Sequence, residues 1–454
     1  MIQRLDQTNK IDKSEYIILN IDIIPISSDP IFSGFIHIKD GLIYDFGKNL
    51  DQSFLSEPYK IPIYDGSSYK LIPSFINSHT HSAMSFFRGL GCFLTPNTSK
   101  NSSMIENFLF PAEKSLTKED VEIFSYSYLI DGIKTGTSCF CDHYYFIEGV
   151  ANTMETLGVK GVIGETLCDL GGSFITTQDD WTKIKDSIRN WKYSSRIEPI
   201  LSPHASDTVS SSFLKQIVDF SRSENLGIHM HLSQTQGERQ RTLKKDSLSP
   251  VEFLAKCGGL NSKTLLVHML SADKNDLAMV KDSEATICLC PSSEMIYESA
   301  PTELLLDSGI NTVLGTDCAA SQDSANIFNE LKTLSLLSKR YPSSDYLDAS
   351  CVLKTVTTVP ANFFNLNCGS IEVGKSADLT YIKKDISTTL DFEKNIESNL
   401  IFSSNDRFVE HLSIEGRFIL WNKQITTISE KSVMDEYQSR FKRIAKNCGF
   451  MEIK

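Results

Sequence analysis

The 454-residue sequence predicts an α/β protein, a (β/α)₈ barrel accompanied by a small all-β domain that both chain ends build together. Three observations lead to this fold class. Eight short β-branched runs each end in a polar or ionisable residue, amphipathic stretches separate most of them, and both chain ends alternate strand-like segments with turn residues. Short apolar runs between helical patterns are typical of parallel strands buried on both faces. Eight such units predict a closed barrel with its active site at the carboxyl ends of the strands.

The two chain ends share a pattern of strands and tight turns. Residues 1–70 contain EYIILNIDIIPI and GFIHIKDGLIYDFG, in which Asp40-Gly41 predicts a hairpin turn. Residues 371–454 repeat this style in HLSIEGRFILWNKQI, with a second turn at Glu415-Gly416. We therefore expect residues 1–70 and 371–454 to pair into one small domain.

The central region, residues 71–370, contains the eight runs of the predicted barrel. The runs end at His81, His143, Glu165, His204, Gln234, His268, Ser293 and Asp317. Stretches such as LTKEDVEIFSYSYLIDGIKTG and SSFLKQIVDFSRSENLG between them are amphipathic and close with a glycine, as helix C-termini often do. A polar segment around Asn101 predicts a mobile loop over the barrel mouth. After the barrel, an amphipathic helix over about Ser429–Ala445 is expected to pack on the small domain.

Composition and charge exclude several classes of protein. Lys plus Arg number 45 against 57 for Asp plus Glu, and the resulting net charge of -12 provides no basic surface for nucleic acid. The sequence contains no apolar run long enough to cross a membrane and no basic start followed by an apolar signal segment, so we expect a soluble cytoplasmic protein. The 11 cysteines are an odd number without metal-knuckle spacing, which favours reduced, mostly buried thiols.

A histidine pair at the end of the first strand indicates a metal site. His79 and His81 are two residues apart, so both imidazoles face the barrel interior. An isolated pair is equally consistent with hydrogen-bonded core residues, but six of the nine histidines fall at or near predicted strand ends. Asp317 ends the eighth strand, beside the first in a closed barrel, although alone it would suit a helix N-cap. Imidazoles with one carboxylate fit one divalent ion, Zn²⁺ with Fe²⁺ as the rival.

Several stretches resemble the amidohydrolase superfamily, in its branch of methylthioadenosine/S-adenosylhomocysteine deaminases and the chlorohydrolase-like triazine hydrolases. They include LIPSFINSHTHSAMSFFRGLG, FPAEKSLTKEDV, SPHASDT, GIHMHLSQTQGE, CPSSEM and GINTVLGTDCAAS. The resemblance implies a distorted (β/α)₈ TIM barrel with a small β-sandwich made from both chain ends. It also implies a small-molecule heterocyclic substrate and a homo-oligomer.

The resemblance assigns roles to individual residues. Its four metal ligands fall on His79, His81, His231 and Asp317. His268 matches the histidine that contacts the substrate and the activated water, and His204 the one that holds a ribose or leaving group. Arg88 matches a loop position that contacts a substrate carboxylate or hydroxyl, with a structural salt bridge as the alternative. For His229 we favour a packed, hydrogen-bonded histidine.

Two positions depart from the family pattern. Gln234 stands where the family usually has a glutamate that shuttles protons, and an amide cannot act as a general acid or base. It can still donate a hydrogen bond to a ring nitrogen or orient water. Glu238, one helical turn further, either reaches inward or is a solvated helix residue. Glu294 stands where deaminases of this branch commonly carry asparagine, which changes the polarity expected at that edge of the substrate.

These residues predict a metal-dependent hydrolase that deaminates an adenosine-type nucleoside. The metal would lower the pKa of water, Asp317 would take its proton, and His268 would stabilise the tetrahedral intermediate. Gln234 would then bind the substrate without transferring a proton. One alternative keeps the metal but expels chloride or an alkylamine from a nitrogen heterocycle. The other alternative is a barrel that binds a purine without turnover.

Overall fold

The predicted barrel is present, and its eight strands are parallel and hydrogen-bonded in chain order. A computed structural model describes residues 3–8, 10–51, 61–89, 109–297, 299–341, 348–384, 396–403 and 406–447. The barrel strands are Phe75–Thr80, Thr137–Tyr144, Lys160–Leu167, Ile197–Pro199 with Ser202–Pro203, Ile228–Leu232, Thr264–His268, Thr286–Leu289 and Thr312–Leu314. The segment predicted as a loop around Asn101 lies outside the described residues.

The barrel is distorted at the two places where it closes. The fourth strand is split into two short pieces, and a single bridge from Leu201 to Ile228 connects it with the fifth strand. A second bridge, Thr80 to Asp317, connects the eighth strand with the first. This second bridge sets the Asp317 backbone beside His79, whose carbonyl accepts the Asp317 N–H at 3.0 Å. Closure of the barrel therefore places Asp317 beside His79 and His81, as the sequence predicted.

Helices cover the outside of the barrel. The first long one, Lys118–Lys134, begins at Thr117, whose side chain accepts the Asp120 N–H while the Asp120 carboxylate accepts the Thr117 N–H. The barrel helices are Phe110–Glu113, Lys118–Lys134, Ile147–Leu157, Gln178–Arg189, Ser211–Glu224, Gln236–Asp246, Pro250–Lys256, Lys274–Asp282, Pro291–Tyr297, Glu303–Leu306, Ala319–Gln322, Ile327–Ser338, Ala349–Lys354, Thr358–Phe363 and Ile396–Phe402. Short 3₁₀ turns are Leu5–Gln7, Ser82–Phe87 and Asp406–Phe408.

Among the described residues, both chain ends contribute strands to one mixed sheet of ten strands. The strands are Gln3–Arg4, Glu15–Ile23, Ile31–Lys39, Leu42–Gly47, Ile63–Asp65, Tyr69–Pro73, Leu379–Lys383, Val409–Ile414, Arg417–Trp421 and Gln424–Ile425. The two ends meet where Tyr69–Pro73 pairs antiparallel with Leu379–Lys383. Both predicted hairpin turns are present, and Asp40-Gly41 has the positive φ values, 50° and 84°, that a tight two-residue turn needs.

This sheet folds over its own apolar core, as expected of a small β-sandwich. Three strands separate Glu15–Ile23 from Arg417–Trp421 in the sheet order, which would be about 19 Å in a flat sheet at ~4.8 Å per strand. The rings of Tyr16 and Phe418 nevertheless lie only 6.1 Å apart. These two strands of the sheet therefore face each other across a shared core.

The terminal helix forms where the sequence placed it, but it packs elsewhere. It covers Glu430–Asn447 and lies chiefly on the barrel helix Lys118–Lys134 rather than on the small domain. Arg440 Nη1 lies 3.1 Å from a carboxylate oxygen of Asp120, and Arg443 binds the other oxygen. The expectation that it packs on the sheet was wrong because its arginines are drawn to a buried carboxylate on the barrel.

Two sequence expectations concern the whole chain. In the part of the chain that the structure describes, no helix is both long and apolar enough to cross a bilayer. The described cysteines are free thiols and most of them are buried. The prediction of reduced, packed thiols is therefore confirmed for these residues.

Candidate metal and active site

Three imidazoles converge at the carboxyl edge of the barrel. His79 and His81 come from the end of the first strand, and His231 from the fifth. The Nε2 atom of His231 lies 3.1 Å from Nε2 of His81 and 3.2 Å from Nε2 of His79. The chain thus brings together the three histidines that the sequence predicted as metal ligands.

The other nitrogen of each ring is anchored, which fixes where the lone pairs point. His81 Nδ1 lies 2.5 Å from the carbonyl oxygen of His143, and His231 Nδ1 lies 3.0 Å from that of His204. A carbonyl only accepts, so these two Nδ1 atoms carry protons, and in a neutral ring the lone pair is then on Nε2. Burial lowers the pKa of His231 well below its usual range and keeps the ring neutral. Two lone pairs 3.1 Å apart repel unless a cation lies between them.

His79 is anchored by another histidine. Its Nδ1 lies 2.8 Å from Nε2 of His229, and Nδ1 of His229 lies 3.4 Å from the Cys141 sulfur. His229 is therefore a packed, hydrogen-bonded residue, as predicted. Burial also lowers the pKa of His79 to about 3, so this ring is neutral as well.

Asp317 completes the cluster with a carboxylate. Its Oδ1 lies 3.5 Å from His79 Nε2 and 3.4 Å from His81 Nε2, and the Ser293 hydroxyl donates to its Oδ2. Burial alone would raise the pKa of Asp317, but hydrogen bonding to His79 and the surrounding imidazoles lower it below the ordinary value. The backbone of Asp317 has a φ of 57°, a left-handed conformation that is rare outside glycine and is often found at functional sites.

The donor set fits a divalent metal ion. Ligand atoms of His79, His81 and His231 lie within 4.8 Å of one another, and so do those of His79, His268 and Asp317. A cation at their centre would resolve the repulsion between the imidazole lone pairs and balance the buried carboxylate. Nitrogen ligands with one carboxylate are typical of zinc sites that keep a position open for water.

His268 lies beside Asp317 at the end of the sixth strand. Its Nε2 is 4.0 Å from Asp317 Oδ2, and this nitrogen has no hydrogen-bond partner among the described residues. Nδ1 is 3.2 Å from Glu294 Oε1. Burial alone would lower the pKa of His268, but the bond to Glu294 and the nearby carboxylates raise it. The residue also has a φ of 80°, so it shares the strained backbone of Asp317.

A cavity opens above the cluster. Its lining consists of His81, Met84, Leu109, Phe110, Glu113, Tyr144, Tyr145, Thr166, His204, His231, Gln234, Asp317 and Cys318. His204 is held by Thr208, whose hydroxyl lies 2.9 Å from Nδ1, and burial lowers the pKa of His204 to about 4. The predicted substrate residues His204 and Gln234 therefore face the same space as Asp317.

Glu238 takes neither of the two positions predicted for it. It is buried, and it does not line the cavity. Its carboxylate accepts the N–H of Gln234 at 2.7 Å and of Ser233 at 3.2 Å, and the hydroxyl of Ser206 at 2.6 Å. Burial raises the pKa of Glu238 to about 7. Glu238 thus fixes the backbone that presents Gln234.

Arg88 does not line the cavity, so its predicted substrate contact is not supported. Its guanidinium donates to the carbonyl oxygen of Asp323 at 2.8 Å, to the Ser127 hydroxyl at 2.9 Å and to Asp131 at 3.1 Å. These partners lie on the helix Lys118–Lys134 and on the segment after Asp317. The structural salt bridge, which was the alternative, is the interaction that forms.

Two polar residues near the site were assigned no role from the sequence. Glu113 lines the cavity, accepts the Tyr144 hydroxyl at 2.8 Å and also binds Ser173, and burial raises its pKa to about 7. His143 is buried between the imidazoles, and neither of its ring nitrogens has a partner in the described part of the chain. The strand-end position of His143 was a usable signal, whereas Glu113 depends on a fold contact between distant segments.

Comparison with known proteins identifies the family. A family model described as the amidohydrolase family matches residues 71–419. The chain belongs to the amidohydrolase family. The 5-methylthioadenosine/S-adenosylhomocysteine deaminase of Thermoanaerobacter pseudethanolicus is 30% identical over 390 residues, which cover 84% of this chain and 89% of that protein. The family resemblance read from the motifs is confirmed.

Solved structures agree on the fold of this amidohydrolase. An adenosine deaminase from Xanthomonas campestris with bound zinc has a TM-score of 0.86 at 20% identity, covering 95% of this chain and 99% of that chain. A zinc complex of atrazine chlorohydrolase from Arthrobacter aurescens has a TM-score of 0.82 at 16% identity, covering 94% of this chain and 100% of that chain. The distorted barrel with a small β domain is thereby confirmed.

Proposed function

We propose that this amidohydrolase is a metal-dependent deaminase of adenosine-type nucleosides such as adenosine, methylthioadenosine or S-adenosylhomocysteine. The observation that carries the proposal is the convergence of three imidazole Nε2 atoms and the Asp317 carboxylate below the cavity that His204 and Gln234 line. The 30% identical relative, named as a 5-methylthioadenosine/S-adenosylhomocysteine deaminase over most of both chains, supports the substrate class. The bond broken is the carbon–nitrogen bond of a cyclic amidine, and ammonia leaves.

The metal ligands in this proposal are His79, His81, His231 and Asp317, and the ion is Zn²⁺ rather than Fe²⁺. Neutral imidazoles with a single carboxylate suit zinc, and both solved neighbours cited above contain it. When bound, the ion supplies Lewis acidity that brings the pKa of water toward neutrality. The test of identity is the metal content of protein purified without added metal.

Residues of the chain itself carry out proton transfer and substrate binding. Asp317 accepts the water proton and returns it to the leaving amine, while the Ser293 hydroxyl holds its Oδ2 in place. His268 Nε2, 4.0 Å from Asp317 Oδ2, hydrogen-bonds the attacking oxygen. The Gln234 amide donates to a ring nitrogen of the substrate without transferring a proton. His204 and Glu113 line the cavity and offer hydrogen bonds to sugar hydroxyls.

The deciding experiment is ammonia release by zinc-loaded protein from adenosine, methylthioadenosine and S-adenosylhomocysteine. Metal content is measured on the same sample, and an Asp317→Asn variant loaded in the same way is the control. Ammonia release that depends on Asp317 supports the deaminase. Bound metal with no ammonia from any of the three nucleosides would overturn it.

A second candidate keeps the site but changes the leaving group to chloride or an alkylamine on a nitrogen heterocycle. The observation that favours it is Gln234, because the cavity holds an amide where ring protonation would call for an acid. Halogenated and alkylated heterocycles extend the same assay. A barrel that binds a purine without turnover predicts saturable nucleoside binding to the metal-loaded protein and no product in either panel.

A further inference from the structure

Ser293 and Glu294 are consecutive residues after the seventh strand. They contact Asp317 and His268, the two side chains that the proposed mechanism places beside the attacking water. On the helix Pro291–Tyr297, the Ser293 hydroxyl donates to Asp317, and Glu294 Oε1 lies 3.2 Å from His268 Nδ1. Glu294 is 1% exposed and contacts His268 through Nδ1, the ring nitrogen that does not face Asp317. The sequence placed Glu294 at the edge of the substrate, and the structure moves it behind His268.

When Glu294 is ionised, its oxygen that faces His268 can only accept hydrogen bonds. Oε1 accepts the Cys290 N–H at 2.8 Å, and this bond fixes the carboxylate relative to the strand end. An ionised carboxylate has only acceptor sites, whereas an amide can turn either its oxygen or its nitrogen toward the ring. The contact therefore requires a proton on His268 Nδ1. In the neutral ring the lone pair is then on Nε2, the nitrogen that faces Asp317 at 4.0 Å.

We propose that Glu294 is a positioning residue that fixes the Nδ1–H tautomer and the ring orientation of His268, so that Nε2 is presented to the attacking water. The proposal rests on the proposed hydrolytic function for its kinetic consequence. Its structural claim, the position of the proton on the ring, stands independently of turnover. Glu294 acts through His268 and contacts neither the proposed metal ligands nor the cavity.

The first test compares Glu294→Met with Glu294→Gln. Methionine fills a similar volume but cannot accept the Nδ1 proton, whereas the glutamine oxygen can still take both hydrogen bonds of Oε1. We expect Glu294→Met to lower kcat by about 10- to 100-fold, as loss of a residue behind a catalytic group typically does. KM and metal content should change little, and Glu294→Gln should recover part of the loss. An unchanged kcat in Glu294→Met would overturn the proposal.

A double-mutant cycle separates positioning from a general structural role. If Glu294 acts only through His268, Glu294→Met should have no further effect on kcat in a His268→Asn background. A structural role predicts the same fold loss in both backgrounds, and that result would overturn the proposal.

An NMR measurement keeps the proposal testable if no nucleoside is deaminated. In protein labelled at the histidine ring nitrogens, the His268 signals are assigned by their absence in His268→Asn. We expect a protonated Nδ1 in the wild type, in Glu294→Gln a weaker preference, and in Glu294→Met a shift toward the other tautomer. The same ring state in wild type and Glu294→Met would overturn the structural claim. Absence of ammonia with the expected tautomers would count against the deaminase alone.

Discussion

The small β domain and the barrel both bury histidines, but they treat the ring nitrogens differently. In the sheet, His411 Nδ1 accepts the Asn422 N–H at 3.2 Å, and its Nε2 lies 3.2 Å from the Tyr69 hydroxyl. At the barrel edge, the Nε2 atoms of His81 and His231 face each other at 3.1 Å. The comparison teaches that burial alone does not mark a functional histidine. The functional histidines are marked by ring nitrogens that face one another with no hydrogen-bond donor between them.

The largest predicted contrast comes from removing one histidine in each region. His231→Gln should abolish stoichiometric metal binding, and activity should fall by at least about 10³-fold because the ion contributes several kcal/mol to the transition state. His411→Gln should leave metal content unchanged and lower the free energy of unfolding by about 1–3 kcal/mol, the cost of disturbed buried hydrogen bonds. Elemental analysis, kinetics and denaturant unfolding check both. Equal metal content in the two variants would contradict the assignment of His231.

The second prediction compares two buried aspartates. Asp317→Asn should lower kcat by about 10²- to 10⁴-fold, the usual loss when a group that transfers protons is removed. Asp378, at the start of the strand Leu379–Lys383, pairs with Lys160 at 2.7 Å. Asp378→Asn should instead destabilise the fold by about 3–5 kcal/mol, with kcat of the folded protein unchanged, because the buried Lys160 loses its near counter-ion and keeps, among the described carboxylates, only Glu415 at 4.0 Å. A fully active Asp317→Asn variant would exclude the proposed mechanism.

The third prediction concerns the amide in the cavity. Gln234→Glu should raise the deamination rate by about 10-fold or more, since a carboxyl group can deliver a proton to the ring. The Gln234 backbone is held by Glu238, so the new side chain should take the same place. Steady-state kinetics with the preferred nucleoside measure the change, and Gln234→Met is the control for simple loss of the amide. An unchanged rate in Gln234→Glu would favour the alternative leaving group.

Strand-end residues were predictable from the sequence for two reasons. Side chains alternate every two residues along a strand, and barrel closure makes the first and last strands neighbours. His79, His81 and Asp317 meet since the first and eighth strands must be neighbours. The position of Arg88 depends on partners more than 30 residues away in sequence, and a loop motif does not reveal them. Glu238 lies on a helix whose pattern looks solvated, and only the packed structure shows that it is buried. Sequence periodicity therefore predicted which elements meet, but not the hydrogen bonds made between them.

The last prediction concerns Glu330, a buried carboxyl group on the helix Ile327–Ser338 of the barrel. Burial raises the pKa of Glu330 to about 8, although its Oε2 accepts the Ser292 N–H at 3.0 Å. The folded state keeps this proton to higher pH than the unfolded chain, whose ordinary value is 4.5, so stability falls as pH rises from 4.5 to about 8.

Glu330→Gln removes this titration while keeping the neutral shape. We expect its unfolding free energy, relative to the wild type, to improve by up to about 1.4 kcal/mol per pH unit between pH ~5 and ~8. Thermal unfolding across that range measures the slope, with the exposed Glu303→Gln as the control. A constant difference between variant and wild type would mean that Glu330 titrates alike in both states. In that case the buried carboxyl group of Glu330 would be as well balanced as that of Asp378, which pairs with Lys160.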